Sequence, residues 1–511
     1  MILLATTATR PVFNHSFAPN QRLPSLNDAR FRGSSGNKNI AHILIHARLW
    51  RHFALGDLQR FYQQCKLADV RDMLLNSFWF REGGYGGGGE LRVVCSRGVN
   101  FGQRDAQALV SIAKHKTSEL FILPHSRECY EQLLFALTDD TGLGADSREQ
   151  LQELIDIATQ GMAMGSFKYK GWVVGGDANS DLTVIGHKDH GTGSCLGLLW
   201  KISSDSWMIP CSFNLSPKSR GVRDPKFDIN SLSDMSRFLD SFELSKRALL
   251  RYISSWYDPL HLFGQIRAYL TLIYRRAIKT IPGQHWESAV TPEIYADLLK
   301  VTKMMFELKD FEVKRFCFEG IIGKKIELIG VSDGSDLLAA GRIFVRYRTG
   351  ENTHGCKYLF GNVLLIGTGD ESSVRCECHA FFMTVTMLTL AKELIKNYTI
   401  ENIYIVSDSQ ITLSGVCSLT ARQKLYYRQR NGFSRSQIEK LEIQILYCPG
   451  EFSDGDIFTK IRKDNLNGAL TESYWNSIFF EKSKKEWPTK EYKYDPAHVG
   501  TQILDPGLTV C

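Results

Sequence analysis

The 511 residues, 43% hydrophobic and 23% charged, can bury sizeable cores, which excludes a disordered chain and predicts about three domains. Lysine and arginine total 62 against 55 aspartates and glutamates, a formal charge of +7 that suits a polyanionic partner without demanding one. The 12 cysteines include no C-x-x-C pair and read as reduced core thiols of an intracellular protein. No stretch approaches the ~20 apolar residues of a membrane span, and the first nine residues lack the basic start of a signal peptide. The expectation is a soluble chain that is not secreted and has no membrane partner.

Residues 10–14 read as a strand, followed by a polar Gly/Ser loop through Gly33 and Gly36. A domain that begins in mid-strand looks truncated. Residues 40–50 have helical apolar spacing and lead into the short run Phe53-Ala54-Leu55-Gly56, which ends at Asp57. His42 and His46 have the i,i+4 spacing of a metal-binding helix, but without a third ligand they read as surface histidines. Strands are predicted over 74–80 and 91–94, with a flexible glycine-rich hairpin loop over 83–89 that no GK[ST] follows, so it is not a phosphate-binding loop. A helix is predicted over 103–116 and a strand over 133–140.

That strand delivers Asp139 and Asp140 into the turn of Leu137-Thr138-Asp139-Asp140-Thr141-Gly142. Side chains alternate along a strand, so one carboxylate would face a metal across the sheet while the other supports it from the side, with Asp57 as the third. An ordinary Asp/Gly hairpin turn is the alternative on spacing alone. Asp140-Thr141-Gly142 also spells the triplet of aspartic proteases, but the capping box of Ser147 and Gln150 opens a helix at once, where a compact β domain would be needed. Residues 165–230 are strand-like and loop-rich, and 244–278 are helical and studded with arginine.

From Lys324 the pattern becomes three strands (326–332, 341–348, 357–366), a helix (377–397), a strand (402–407), a basic helical stretch, a strand (441–447) and a final helix. Asp333, Glu377, Asp408 and Asp456 fall at strand ends or helix starts, at spacings that suit a five-stranded nuclease sheet. Phosphate chemistry uses Mg²⁺ held by such carboxylates, often as a pair of ions. Two acidic clusters in one chain therefore suggest two phosphoryl reactions. A zinc site from Cys376, Cys378, His379, His354 and Cys356 is disfavoured, because Cys376 and Cys378 would point around different sides of one helix.

With these residues in hand, the chain resembles the polymerase and ribonuclease H region of Pao/BEL-type LTR retrotransposon polyproteins, from Arg10 to about Pro488. Pro24-Ser25-Leu26-Asn27-Asp28 resembles the SLND segment, and Asp57-Leu58-Gln59-Arg60-Phe61-Tyr62 the first palm motif. Leu137 to Asp140 with Leu143-Gly144-Ala145-Asp146-Ser147 resembles the YVDD hairpin and its GADS continuation, and Cys195 to Trp200 the LGLxW strand. Lys246-Arg247 with Tyr257-Asp258-Pro259-Leu260-His261-Leu262 is similar to the KR and FDPLGL signature. Gly330 to Ser335, Val406 to Gln410, and Ser453-Asp454-Gly455-Asp456 resemble GFSDAS, TDSQ and NPAD. Departures are Leu137 for the Tyr of YVDD, Ala106-Gln107-Ala108 for Ser-Pro-Phe, and Asn14 for the usual fingers Asp.

The resemblance implies an α+β multidomain protein: partial fingers (1–50), a reverse-transcriptase palm (51–235), a helical thumb and connection (236–322), an α/β ribonuclease H-like domain (323–470) and a C-terminal tail (471–511). It implies an RNA-directed DNA polymerase with ribonuclease H activity, using Mg²⁺ or Mn²⁺. Asp57, Asp139 and Asp140 would be the polymerase metal ligands, Arg10 the triphosphate grip and Tyr62 the screen against the nucleotide sugar. Asp333, Glu377, Asp408 and Asp456 would be the nuclease ligands, with Arg422, Lys424, Arg428 and Arg430 lining a groove for the hybrid. Partners would be an RNA template, a DNA primer, their hybrid and dNTPs, in a cytoplasmic retrotransposon particle or the nucleus, with homo-oligomerisation left open. Two alternatives stand beside it: a fragment in which only the nuclease half works, and a domesticated nucleic-acid-binding protein without catalysis.

Overall fold

The computed structural model describes residues 15–16, 24–75, 77–81, 89–100, 102–175, 192–210, 212–213, 227–228, 233, 244–280, 285–308, 310–366, 373–419, 423–453, 455–459 and 477–492. Arg10, Asn14, Arg422, Asp454 and most of the glycine-rich loop lie outside them. Among the described residues no helix is long and apolar enough to cross a membrane.

The first unit comprises α1 (Ile40–Arg48), β1 (His52–Leu58), α2 (Phe61–Gln64), α3 (Val70–Leu75), β2 (Ser77–Arg81), β3 (Leu91–Cys95), α4 (Ala106–Phe121), α5 (Arg127–Leu133), β4 (Ala136–Leu137), β5 (Asp140–Ala145), α6 (Arg148–Met164) and β6 (Tyr169–Gly175). Its sheet has the order β4-β5-β1-β6, and every pair in it is antiparallel. β1 is covered on both faces, which is why Phe53-Ala54-Leu55 reads as a continuous apolar run rather than an alternation. Ala54 and Leu58 pack with Val110, Leu154 and Met162 beneath α4 and α6, while Phe53 and Leu55 join the core that includes Leu44 and Trp200. α6 starts where its cap predicts: Ser147 Oγ accepts the backbone N–H of Gln150 at 3.2 Å, and Leu151, Leu154, Ile155, Ala158 and Met162 form its buried stripe. Two predicted strands shorten, because 70–75 and 127–133 are helical. β2 and β3 pair as the predicted hairpin.

The middle of the chain supplies β7 (Thr192–Cys195), β8 (Leu198–Lys201), β9 (Ser206–Met208), the small pair β10 (Ser212–Phe213) and β11 (Phe227–Asp228), then α7 (Lys246–Ser255), α8 (Gly264–Thr280), α9 (Pro292–Glu307) and β12 (Val313–Lys314). β12 closes a sheet of order β12-β9-β8-β7. In the turn before α8, the Asp258 carboxylate accepts the N–H groups of Leu262 and Phe263 at 2.8 and 2.7 Å.

The C-terminal unit contains β13 (Lys325–Gly334), β14 (Leu338–Arg348), β15 (His354–Leu365), α10 (Ser373–Leu394), β16 (Thr399–Ser407), α11 (Gln410–Cys417), α12 (Leu425–Leu441), β17 (Gln444–Tyr447), α13 (Asp456–Thr459), α14 (Ile478–Glu481) and β18 (Lys490–Glu491). Its sheet has the order β15-β14-β13-β16-β17-β18, with β16 parallel to both β13 and β17. The sheet thus has six strands where five are expected, and the sixth comes from the stretch expected to be a tail.

A buried ion network holds that stretch down. Glu327 on β13 pairs with Arg346 on β14 and, at 2.6 Å, with Lys484, and accepts from Asn402 at 2.8 Å. Burial alone would push the Glu327 carboxyl up, but Lys484 and Arg346 hold it below its usual range. Arg346 also donates to the carbonyls of Phe480 and Lys482, while Phe480 and Trp487 are buried. Deleting residues 471–511 removes Lys484 and the cover over a pair whose side chains are 4% and 8% exposed. The 1–470 chain should lose about 3–5 kcal/mol or more of stability, read as a lower denaturant midpoint in the transition of the C-terminal unit. An unchanged midpoint would show that the network is dispensable.

Candidate metal centre and a second acidic corner

Strand register builds the C-terminal site. In the parallel pair of β13 and β16, Ser332 lies opposite Ser407. The next residues, Asp333 and Asp408, therefore emerge side by side at the C-terminal edge of the sheet. α10 packs across β13 and β14 and brings the third acid. Its approach depends on Gly334, since a Cβ there would fall 2.4 Å from the Glu377 backbone nitrogen. Asp333, Glu377 and Asp408 each present an oxygen, and these oxygens lie within 4.8 Å of one another. Asp333 is 2% exposed, whereas the other two are half-buried. No other group of this kind occurs among the described residues.

Asp456, the fourth expected ligand, stands beside this group but outside it. It opens α13, which packs on β13, β14 and α8. Gly455, just before α13, and Thr459, its last residue, meet Asp333: a Cβ on Gly455 would lie 2.4 Å from the Asp333 Cβ, and Thr459 Oγ1 donates to Asp333 Oδ2.

The carboxylates expected in a palm gather at one corner of the first sheet. Asp57 on β1 lies directly opposite Asp140 on β5, and Asp139 is the second residue of the two-residue turn from β4 to β5. Their ligand atoms do not all come within 4.8 Å of one another, so the corner lacks the spacing of the C-terminal group. Lys170 Nζ holds Asp57 Oδ2 at 3.0 Å. Burial, then the charges of Asp139 and Asp57, push the Asp140 carboxyl up to about 7 against the pull of Lys114 and Lys170. Lys114 is pushed down to about 8 by burial, with Asp139 and Asp140 opposing.

The turn itself is held from behind. Thr138 has φ +56°, an unusual value for a β-branched residue. Its N–H donates to Asn37 Oδ1 at 2.9 Å, and Lys114 Nζ donates to its carbonyl at 3.3 Å. Tyr62 is on α2, with its hydroxyl donating to Gln107 Oε1 at 2.5 Å, and Gln107 Nε2 in turn donates to Asn37 Oδ1 at 3.1 Å. Sequence reasoning missed Asn37, Lys114, Lys170 and Thr459. Only Gln107 carried a signal, as a departure from Ser-Pro-Phe.

The decoys resolve on burial. Asp140-Thr141-Gly142 begins β5, inside a four-stranded sheet, with α6 directly after it. Cys376 and Cys378 are buried free thiols, and Cys378 is pushed up to about 12 by burial. His46 is not the surface residue expected: it is 5% exposed and stacks on Phe135 with centroids 4.4 Å apart. Burial depresses it to about 4.

With this geometry in view, the model of the Pao retrotransposon-like RNaseH-like domain matches residues 245–409. The matched stretch runs from the Ser245 cap of α7 through Asp333, Glu377 and Asp408. No curated protein matches the sequence. Among solved structures, that of a foamy viral protease-reverse transcriptase dRH in complex with ds DNA is 11% identical, with a TM-score of 0.44, over 80% of this chain and 59% of that one. A foamy viral protease-reverse transcriptase in complex with dsDNA is 11% identical, with a TM-score of 0.45, over 82% of this chain and 72% of that one. The chain therefore spans less than two thirds of the first of these structures.

The charges at the Asp57 corner set a pH dependence. The folded protein keeps the Asp140 proton up to about pH 7, while the unfolded chain releases it near pH 4. Between those values the folded state binds more protons, so this residue's contribution to stability falls as pH rises. Without added metal, Asp140→Asn should be stabilised relative to wild type by roughly 3–4 kcal/mol more at pH 8 than at pH 4. Thermal melts of both proteins at the two pH values check this, and equal differences would remove the burden assigned to Asp140.

Proposed function

We propose that this retroelement Pol-type protein uses its RNaseH-like domain to cleave the RNA strand of an RNA/DNA hybrid, with Asp333, Glu377 and Asp408 as Mg²⁺ ligands and Asp456 as the fourth. The observation that carries this reading is the three-carboxylate group, assembled from two parallel strand ends and one helix inside the matched stretch. The donors are all hard oxygens, which suit Mg²⁺ or Mn²⁺ rather than a soft metal. Three like charges held this close, one of them buried, also favour a cation between them. Such ions, when bound, supply a deprotonated water and stabilise the leaving oxygen.

The rest of the task falls to the chain. Asp333 and Asp408 are held by the sheet, so their relative position is set by register rather than by a loop. Glu377 reaches in from α10. Lys424, Arg428 and Arg430, on and just before α12, provide positive charge for the phosphates of a duplex. The arrangement suits a hybrid, whose RNA strand offers 2′-hydroxyls in a wide minor groove.

RNA-directed DNA polymerisation is the second activity we propose, favoured by Asp57 and Asp140 facing each other across β1 and β5 with Asp139 in the adjoining turn. It would take an RNA template, a DNA primer and dNTPs, with Mg²⁺ at these carboxylates, Tyr62 screening the sugar and Arg10 gripping the triphosphate. Both reactions would occur in a cytoplasmic particle or the nucleus. The competing reading is a binding protein without catalysis.

Hybrid digestion and primer extension, each in Mg²⁺ and in Mn²⁺, separate these readings. Asp408→Asn should lower RNA cleavage at least about 100-fold and leave extension intact, and Asp139→Asn should do the reverse. Hybrid binding with no cleavage by wild type, or equal cleavage by wild type and Asp408→Asn, would favour the binding protein.

A further inference from the structure

Asp333 is held from one side by two residues of the segment that starts α13. Gly455 lies so close that any side chain there would overlap the Asp333 Cβ. One helical turn later, Thr459 Oγ1 donates to Asp333 Oδ2. Both partners are buried, Thr459 at 5% and Asp333 at 2% exposure. The two residues are 126 apart in sequence.

A hydroxyl has one proton to give, and elsewhere in this protein helical threonines give it to the backbone. Thr384, Thr386 and Thr389 each donate to the carbonyl four residues back, at 2.8, 2.9 and 3.0 Å. Thr459 directs its proton to a carboxylate instead. A hydroxyl-to-carboxylate bond is charge-assisted and roughly twice as strong as a neutral one. It also restricts rotation about the Asp terminal torsion, which is otherwise broad. Oδ2 is engaged on the α13 side, and Asp333 also presents an oxygen to the group it forms with Glu377 and Asp408.

We infer that Thr459 is a positioning residue of the nuclease site, its hydroxyl fixing the Asp333 carboxylate in the orientation that receives a divalent cation. This rests on the Mg²⁺ reading given above. A hydroxyl that merely satisfied a buried acid would affect the stability of the metal-free fold and nothing else. A hydroxyl that orients a ligand also sets the metal concentration at which the site fills, and outer groups of this type change metal affinity by about 10- to 100-fold.

The test compares wild type with Thr459→Val, which keeps the shape and removes the proton, and Thr459→Ser, which keeps the proton. Mg²⁺ is titrated against the full chain in two readouts, the rise in melting temperature and the rate of RNA cleavage in a hybrid. Thr459→Val should need about 10-fold more Mg²⁺ for half of either effect and approach the wild-type rate at saturation, while Thr459→Ser follows the wild-type curve. Identical Mg²⁺ curves for Thr459→Val and wild type would overturn the inference and leave the nuclease reading standing. A wild type that neither melts higher with Mg²⁺ nor cleaves would overturn both. If Thr459→Val gives no cooperative melt, Thr459→Ala replaces it and the comparison with Thr459→Ser decides.

Discussion

Arg315 is 0% exposed and engages all five of its N–H donors. Two go to the Asp205 carboxylate as a fork, at 2.8 and 2.6 Å, and three go to the carbonyls of Ala47, Trp50 and Arg51, between 2.5 and 2.8 Å. Its guanidinium also lies 5.6 Å from the centroid of Phe53. One side chain just past β12 therefore fixes the turn between β8 and β9, the end of α1 and the entry into β1. Without these acceptors, burying the charge would be strongly destabilising. The same lead-in touches the C-terminal unit: Arg48 donates to Cys317 Sγ at 2.9 Å and to the Tyr358 carbonyl at 3.1 Å, and Asn397 donates to the Leu49 carbonyl at 3.2 Å. The strand that carries Asp57 is thus anchored to the unit that carries Asp333.

The two acidic sites manage like charge differently. At the Asp57 corner, lysines do the work: Lys170 pairs with Asp57, and Lys114 sits beneath the turn of Asp139 and Asp140. Those ammonium groups pull Asp140 down, but burial and then the charges of Asp139 and Asp57 still push it up to about 7. At the C-terminal corner one contact to the buried Asp333 comes from a neutral hydroxyl, and the three oxygens converge more closely.

Local rules made much of this legible. The Ser147 cap, the buried run ending at Asp57 and the strand ends at Asp333 and Asp408 each follow from a few neighbouring residues. What stayed hidden depends on partners far along the chain. Asn37 meets Thr138 across 101 residues, and Thr459 meets Asp333 across 126. His46 read as a surface residue because the His42/His46 pair has no third metal ligand in the sequence beside it. It is buried because α1 contacts β4 and β5 on one side and α10 and β15 on another. His261, where the resembled signature has Gly, takes φ +50° in the turn capped by Asp258, so the capping carboxylate preserves a conformation that its sequence resists.

The matched stretch ends at residue 409, yet the physical unit runs further. β17 pairs beside β16, and a Cβ on Gly450 would come 3.0 Å from Asp408 Oδ2, so the loop after β17 forms one wall of the acidic group. α13 forms another wall against Asp333. Arg346 and Glu327 then depend on the segment around Phe480 and Lys484 for their remaining partners. The acids lie in the first part of the domain and their walls in the last. Closure of the site is therefore a long-range matter, in which β17 and α13 pack beside two carboxylates from strand ends and one from α10.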